Sequence, residues 1–319
     1  MKMLELHLHL EGAAPPALVR DFAARKRADI GGIFDARGNY AYDDFAGFLK
    51  VYEAATSVIR GPADYARLLE VVLENCAAEG VIYAELFVSP EFCGGGDLGA
   101  WREHLHAMTE TAAVLRAQGI DSRAILTAIR HFGPERARAT AICAAETAGD
   151  CVTGFGMGGA EAVGRATDFA WSFDCAREAG LGLTCHAGEW GGPESVRDAL
   201  ALGCTRIGHG VRAIEDPALV DRLAEDAITL ELCPGSNIAL GVYPRLRDHP
   251  VARLIERGVR VTVSTDDPPF FHTTMRAEYD ALARVFDFDT PEFDRIAHWA
   301  IDAAFCDDDT RARLRKEFP

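Results

Sequence analysis

Two hydropathy periods take turns along the chain. In the opening stretch Leu4, Leu6, Leu8 and Leu10 alternate with Glu5, His7, His9 and Glu11, the period of a strand with one apolar and one polar face. Past Gly12-Ala13-Ala14-Pro15-Pro16 the spacing becomes that of an amphipathic helix over 17–26. Further helical patterns cover 43–59 and 62–79, the second stopped by Gly80. Strand-like apolar runs follow at 81–88, 123–129, 152–157, 181–186, 206–208, 228–232 and 260–265. Helical patterns at 101–118, 134–148, 166–179, 194–202, 217–225 and 251–257 separate them, and the stretch from Met275 reads as helical to the end.

With the opening strand this makes eight strand-like runs. Apolar runs that alternate with helices mark parallel strands buried on both faces. Eight such units predict an α/β fold of the (β/α)8 TIM-barrel type, with extra helices inserted after strand 1. A doubly wound open sheet is the alternative. No Gly-x-Gly-x-x-Gly follows the first strand, which weighs against a nucleotide-binding version of that sheet. The sequence contains no linker, low-complexity segment or repeat, so residues 1–319 are expected to form a single domain.

Composition narrows the function classes. A net charge of −16 without a Lys/Arg-rich run argues against a nucleic-acid surface. The nine cysteines are scattered, with no Cys-x-x-Cys, as expected of reduced thiols rather than a disulfide frame or a zinc ribbon. No leader pattern precedes the first strand, and no apolar run is long enough to span a bilayer. A cytoplasmic protein with no membrane partner is the expectation.

Catalytic groups of such a barrel sit at the carboxyl ends of its strands. Strand 1 ends in His7-Leu8-His9-Leu10-Glu11-Gly12, strand 5 in Cys185-His186-Ala187-Gly188-Glu189, strand 6 in Ile207-Gly208-His209-Gly210, and strand 8 in Ser264-Thr265-Asp266-Asp267-Pro268. Residues i and i+2 of a strand point the same way, so His7 and His9 would both face the barrel interior. Two imidazoles from one strand, a third from His186 and a carboxylate from Asp266 suit Zn²⁺ and leave a position for water.

Taken singly, each signal has a plainer explanation. Most histidines are core or surface residues. His104-Leu105-His106 is a second His-x-His, on a predicted helix where i and i+2 face apart, and it reads as surface. His131 could line the pocket or be a hydrogen-bonded loop residue. His249 and His298 read as surface or structural. Asp266-Asp267 could cap a helix ahead of Pro268, and Gly188-Glu189 could be a turn. Their joint occurrence at four ordered strand ends favours a site.

These motifs resemble one family. His7-x-His9 with Leu10-Glu11-Gly12, His186-Ala187-Gly188-Glu189, Arg206-Ile207-Gly208-His209-Gly210, Cys233-Pro234-Gly235-Ser236-Asn237 and Ser264-Thr265-Asp266-Asp267-Pro268 look like the adenosine/adenine deaminase branch of the amidohydrolase superfamily. The resemblance implies a barrel with one zinc per chain, held by His7, His9, His186 and Asp266. It implies hydrolytic deamination of a 6-aminopurine, a small-molecule substrate, by water that the zinc makes acidic, with a pKa of about 7. Glu189 would protonate ring nitrogen N1, a role that needs a raised pKa. His209 would orient or deprotonate the attacking water. Asp267 would hydrogen-bond near N7 and support the attacking oxygen. The backbone amide of Gly159 would contact N3, and His9 would border the substrate.

Some positions depart from the family pattern. Asp-Leu-x-Gly-x-Glu after strand 4 appears as Gly156-Met157-Gly158-Gly159-Ala160-Glu161, without its first acid. Glu11 stands where adenosine-using members carry Asp, which reaches the ribose 5′-hydroxyl, and where adenine-using members often carry Glu, so the resemblance makes it a substrate-binding residue with its side chain toward the pocket mouth. Phe87-Val88-Ser89-Pro90 keeps the Ser-Pro of the nucleoside type, but Phe87 replaces its usual Arg. The Phe-Asp-Pro-Gln of the adenine type is missing. On the Ser89-Pro90 marker, adenosine (to inosine and ammonia) is placed ahead of adenine (to hypoxanthine) or another aminopurine. A dead barrel that binds purines is the non-enzymatic alternative.

Overall fold

A computed structural model describes residues 1–318. Eight strands, β1 (Met3–His9), β2 (Val81–Val88), β3 (Asp121–Ile129), β4 (Val152–Gly158), β5 (Gly182–Ala187), β6 (Arg206–His209), β7 (Thr229–Leu232) and β8 (Arg260–Val263), run parallel in sequence order. Helices alternate with them, giving the expected (β/α)8 barrel. Three helices, Pro16–Lys26, Phe45–Thr56 and Pro62–Glu79, lie between β1 and β2, where the insertion was expected.

The seam between β8 and β1 closes at a single bridge, Leu8 to Asp266. His9 N–H donates to Asp266 O and Asp266 N–H to His7 O, both at 3.0 Å. Barrel closure and the candidate metal cluster therefore share the same backbone.

The barrel interior is polar near this seam. The Glu5 carboxylate accepts from His7 N–H at 3.1 Å, Thr265 N–H at 3.0 Å and Thr265 Oγ at 2.7 Å. It takes the place of ladder bonds where β1 slips register between Glu5 and Leu8. Lower down, Phe305 plugs the barrel floor. A Cβ on Gly154 or Gly182 would come within 2.8 or 2.3 Å of its ring, so two glycines make the room. Arg206 lies over that ring at 3.9 Å and pairs with Glu85 and Glu231, all three fully buried.

Several expected boundaries move for local reasons. The helical tail is three helices, Met275–Phe286, Thr290–Ala303 and Asp308–Glu317. Asp287 turns left-handed at φ 56°, Asp289 and Glu292 form a capping box, and the Asp307 side chain accepts from Thr310 N–H. The helix expected to reach residue 59 stops at Thr56, where Thr56 and Ser57 hydroxyls bond back to the Glu53 and Ala54 carbonyls. Short helices Pro234–Ala239 and Pro268–Phe271 are too brief to carry a visible period. His104, read as surface, is buried against Tyr65 with ring centroids 5.2 Å apart. Among the described residues no helix is long and apolar enough to cross a membrane.

Candidate metal centre and active site

At the carboxyl end of the barrel, β1, β5 and the segment after β8 bring side chains to one point. His186 Nε2 lies 3.0 Å from His7 Nε2 and 3.1 Å from His9 Nε2. Asp266 Oδ1 lies 3.3 Å from His9 Nε2 and 3.8 Å from His7 Nε2. His209 Nε2 is 3.8 Å from Asp266 Oδ2. His7, His186, His209 and Asp266 offer ligand atoms that all lie within 4.8 Å of one another.

The donor set fits a cation. His7 Nδ1 sits 2.6 Å from Glu231 Oε2. A carboxylate only accepts, so Nδ1 carries the proton and the Nε2 lone pair faces the cluster. Three imidazole nitrogens and a carboxylate oxygen so close together cannot all satisfy one another by hydrogen bonds. A divalent metal with N and O ligands would satisfy them. Burial alone would raise the Glu231 carboxyl, but Arg206 and His7 outweigh it and hold it at about 2. It stays anionic behind His7.

Two residues here carry backbone strain. His209 and Asp266 adopt left-handed φ of 59° and 64°, uncommon for non-glycine residues and typical of residues held by their surroundings. Ser236 Oγ donates to Asp266 Oδ2 at 2.6 Å, fixing the carboxylate.

Glu189 and Asp267 face the same space. Glu189 is buried, its Oε1 has no hydrogen-bond partner, and it lies 3.8 Å from His209 Nδ1. Burial, reinforced by Asp266, Glu161 and Asp267, pushes its carboxyl well above the ordinary range. Asp267 also rises, through burial and then Asp266. Its Oδ1 is unpartnered and lies 1.6 Å from where a Cβ on Gly12 would stand. Glycine at position 12 thus gives this carboxylate its place. Asp267 precedes the helix Pro268–Phe271, but its side chain does not cap it.

The loop bearing Glu189 hangs from Glu161. That carboxylate accepts from the backbone N–H groups of Gly188 (2.6 Å), Glu189 (3.1 Å), Trp190 (2.7 Å) and Gly191 (2.8 Å), and from Ser195 Oγ. Sequence reasoning matched Glu161 to a motif but gave it no task.

The pocket over this cluster is walled by Phe45, Phe48, Tyr52, Phe92, Leu240 and Phe271. Gly159 and His131 line it together, with His131 Nδ1 3.3 Å from Ala160 N–H and Nε2 3.7 Å from Glu53. Glu11 does not line it. It is buried outside the wall and accepts from Tyr65 Oη at 3.2 Å and Ser89 N–H at 3.3 Å. Of the sequence-predicted site residues, His7, His9, His186, His209, Asp266, Asp267, Glu189 and Gly159 come together, and Glu11 stands apart. Sequence reasoning missed Glu231 and gave no task to Asn237, which bonds His209. The visible signal for Glu231 was a charge within the apolar run 228–232.

A family model described as adenosine deaminase matches residues 3–318. The chain belongs to the adenosine deaminase family. Within this family of amidohydrolase-type deaminases it is similar to a protein named adenine deaminase from Rhizobium leguminosarum bv. trifolii. The two are 49% identical over 317 residues, covering 98% of each chain. An adenine deaminase from Agrobacterium fabrum is also 49% identical, over 97% of this chain and 95% of the other. The crystal structure of an adenine deaminase from Arthrobacter aurescens superposes at TM-score 0.89 with 28% identity, covering 99% of this chain and 97% of the other. An amidohydrolase from Burkholderia ambifaria solved with bound Zn shares the fold at TM-score 0.86, with 24% identity over 100% of this chain and 89% of the other.

Proposed function

We propose that the protein is a zinc-dependent adenine deaminase, converting adenine and water to hypoxanthine and ammonia. The observation that carries the choice of free base is the 49% identity, over nearly the whole of both chains, to proteins named adenine deaminase. This reverses the order placed on Ser89-Pro90, which put adenosine first. Ser89 is buried and its N–H donates to Glu11, and neither Ser89 nor Pro90 is among the residues lining the pocket, so the dipeptide speaks weakly about ribose. The walls of Phe45, Phe48, Tyr52, Phe92 and Phe271 suit a flat heteroaromatic ring.

His7, His9, His186 and Asp266 would hold the metal. A divalent metal held there would supply water acidic enough to attack at neutral pH, with a pKa of about 7. Glu189, kept protonated by its buried setting, donates to purine N1 and makes C6 electrophilic. Asp267 offers its unpartnered oxygen to the substrate side. His209, between Glu189 and Asp266, holds the attacking oxygen in line. Glu161 keeps Glu189 aimed. The aromatic wall excludes bulk water and strengthens these contacts.

The test is turnover of a panel of adenine, adenosine, N6-methyladenine and AMP, read as ammonia release for adenine, adenosine and AMP and as methylamine release for N6-methyladenine, with hypoxanthine followed by its absorbance. Adenine is expected to be the preferred substrate. Turnover of adenosine ahead of adenine would overturn the free-base reading, and no turnover of any member would overturn the enzymatic one.

A further inference from the structure

Behind His209 runs a line of two polar side chains, Asn237 and His249, that neither the metal set nor the substrate pocket uses. Val251 N–H donates to His249 Nδ1 at 3.3 Å. His249 Nε2 lies 3.1 Å from Asn237 Oδ1. The Asn237 side-chain amide nitrogen lies 3.3 Å from His209 Nδ1. Asn237, His249 and His209 are all buried, so water does not compete for these bonds.

The backbone end sets the direction of the whole line. A backbone N–H can only donate, so His249 Nδ1 is an acceptor and its proton is on Nε2. Burial keeps that ring neutral, its pKa pushed down to about 3. His249 Nε2–H then donates to the Asn237 carbonyl oxygen. That orients the amide, whose nitrogen donates to His209 Nδ1. With Nδ1 accepting, the proton of a neutral His209 sits on Nε2, the atom that faces Asp266.

We propose that Asn237 and His249 are positioning residues that lock His209 in the Nε2–H tautomer, so that His209 serves the reaction as a hydrogen-bond donor to the attacking oxygen and not as the base that deprotonates it. The mechanical reason is that an imidazole whose Nε2 already holds the proton has no lone pair there to take another. A donor aimed at the oxygen where charge develops stabilises that charge as it forms. The role in catalysis rests on the deaminase reading above; the tautomer does not, since the relay is complete without metal or substrate.

The experiment is ¹⁵N NMR of histidine-labelled protein, zinc-free and zinc-loaded, alongside steady-state kinetics with adenine. In the unmodified protein His209 should show a protonated Nε2 and an unprotonated Nδ1 in both forms. Asn237→Asp replaces the amide donor by a carboxylate that can only accept, so the proton should move to Nδ1. Loss of one such donor should lower kcat by about 10²–10³-fold while KM moves far less. If Asn237→Asp does not fold, His249→Phe decides, because Asn237 is then free to flip and both His209 tautomers should appear. A proton on Nδ1 of His209 in the unmodified protein would overturn the proposal, as would a tautomer unmoved by either substitution. A protein that shows the Nε2–H tautomer but forms no hypoxanthine would instead refute the deaminase reading and leave the relay standing.

Discussion

The tripeptide His-Leu-His occurs twice, and its two copies have opposite fates. His7-Leu8-His9 lies in β1, where the two-residue period turns both rings toward the same point, 3.0 and 3.1 Å from His186. His104-Leu105-His106 lies in the helix Leu98–Ala117, where the same spacing turns the rings apart. His104 is buried, with Nδ1 2.7 Å from the Ala100 carbonyl. His106 is exposed, 3.6 Å from Glu110. The motif thus brings its two rings together or sets them apart according to the element that carries it.

Substitution sharpens this contrast, and the largest effect belongs to β1. His9→Ala should lose zinc and activity together, measured by elemental analysis and hypoxanthine formation, because three ligands would hold the metal far less well. Retention of stoichiometric zinc would break the comparison at its root. Glu189→Gln should separate chemistry from binding. Zinc content is expected to stay at one per chain while kcat falls about 10²–10⁴-fold, since the amide cannot deliver a proton to N1.

A smaller effect is expected one layer behind β1. Glu231→Gln leaves His7 a hydrogen-bond partner but removes the charge, and should weaken zinc binding about 10–100-fold in a chelator competition. On the helical copy the effects concern stability alone. His104→Ala should cost about 1–3 kcal/mol in denaturant unfolding, through the lost bond to Ala100 and lost packing on Tyr65, with zinc content unchanged. His106→Ala, at an exposed position, should stay within about 0.5 kcal/mol.

The contrast also explains what could be read from the sequence. The barrel and its strand-end motifs were legible because period and position lie in adjacent residues: the alternation around His7, the glycines after His186 and His209, the acid pair before Pro268. His104 was misjudged because its helix packs on two sides, and i and i+2 facing apart does not make both of them exposed. Glu231, Asn237 and His249 lie in contact with groups far away in sequence, so their tasks emerge only once the barrel closes. Glu11 was expected near the pocket mouth. It turns instead toward Tyr65 and Ser89, because the chain leaves the strand after His9 and the two-residue rule ends there.

The most direct test of the central claim starts from protein stripped of metal with a chelator and titrates zinc back, with adenine and adenosine supplied together. Hypoxanthine formation is expected to rise with zinc, to saturate at about one equivalent per chain as a single mononuclear site requires, and to outpace inosine throughout. Hypoxanthine formed by the metal-free protein, or inosine formed faster than hypoxanthine at saturation, would contradict the claim.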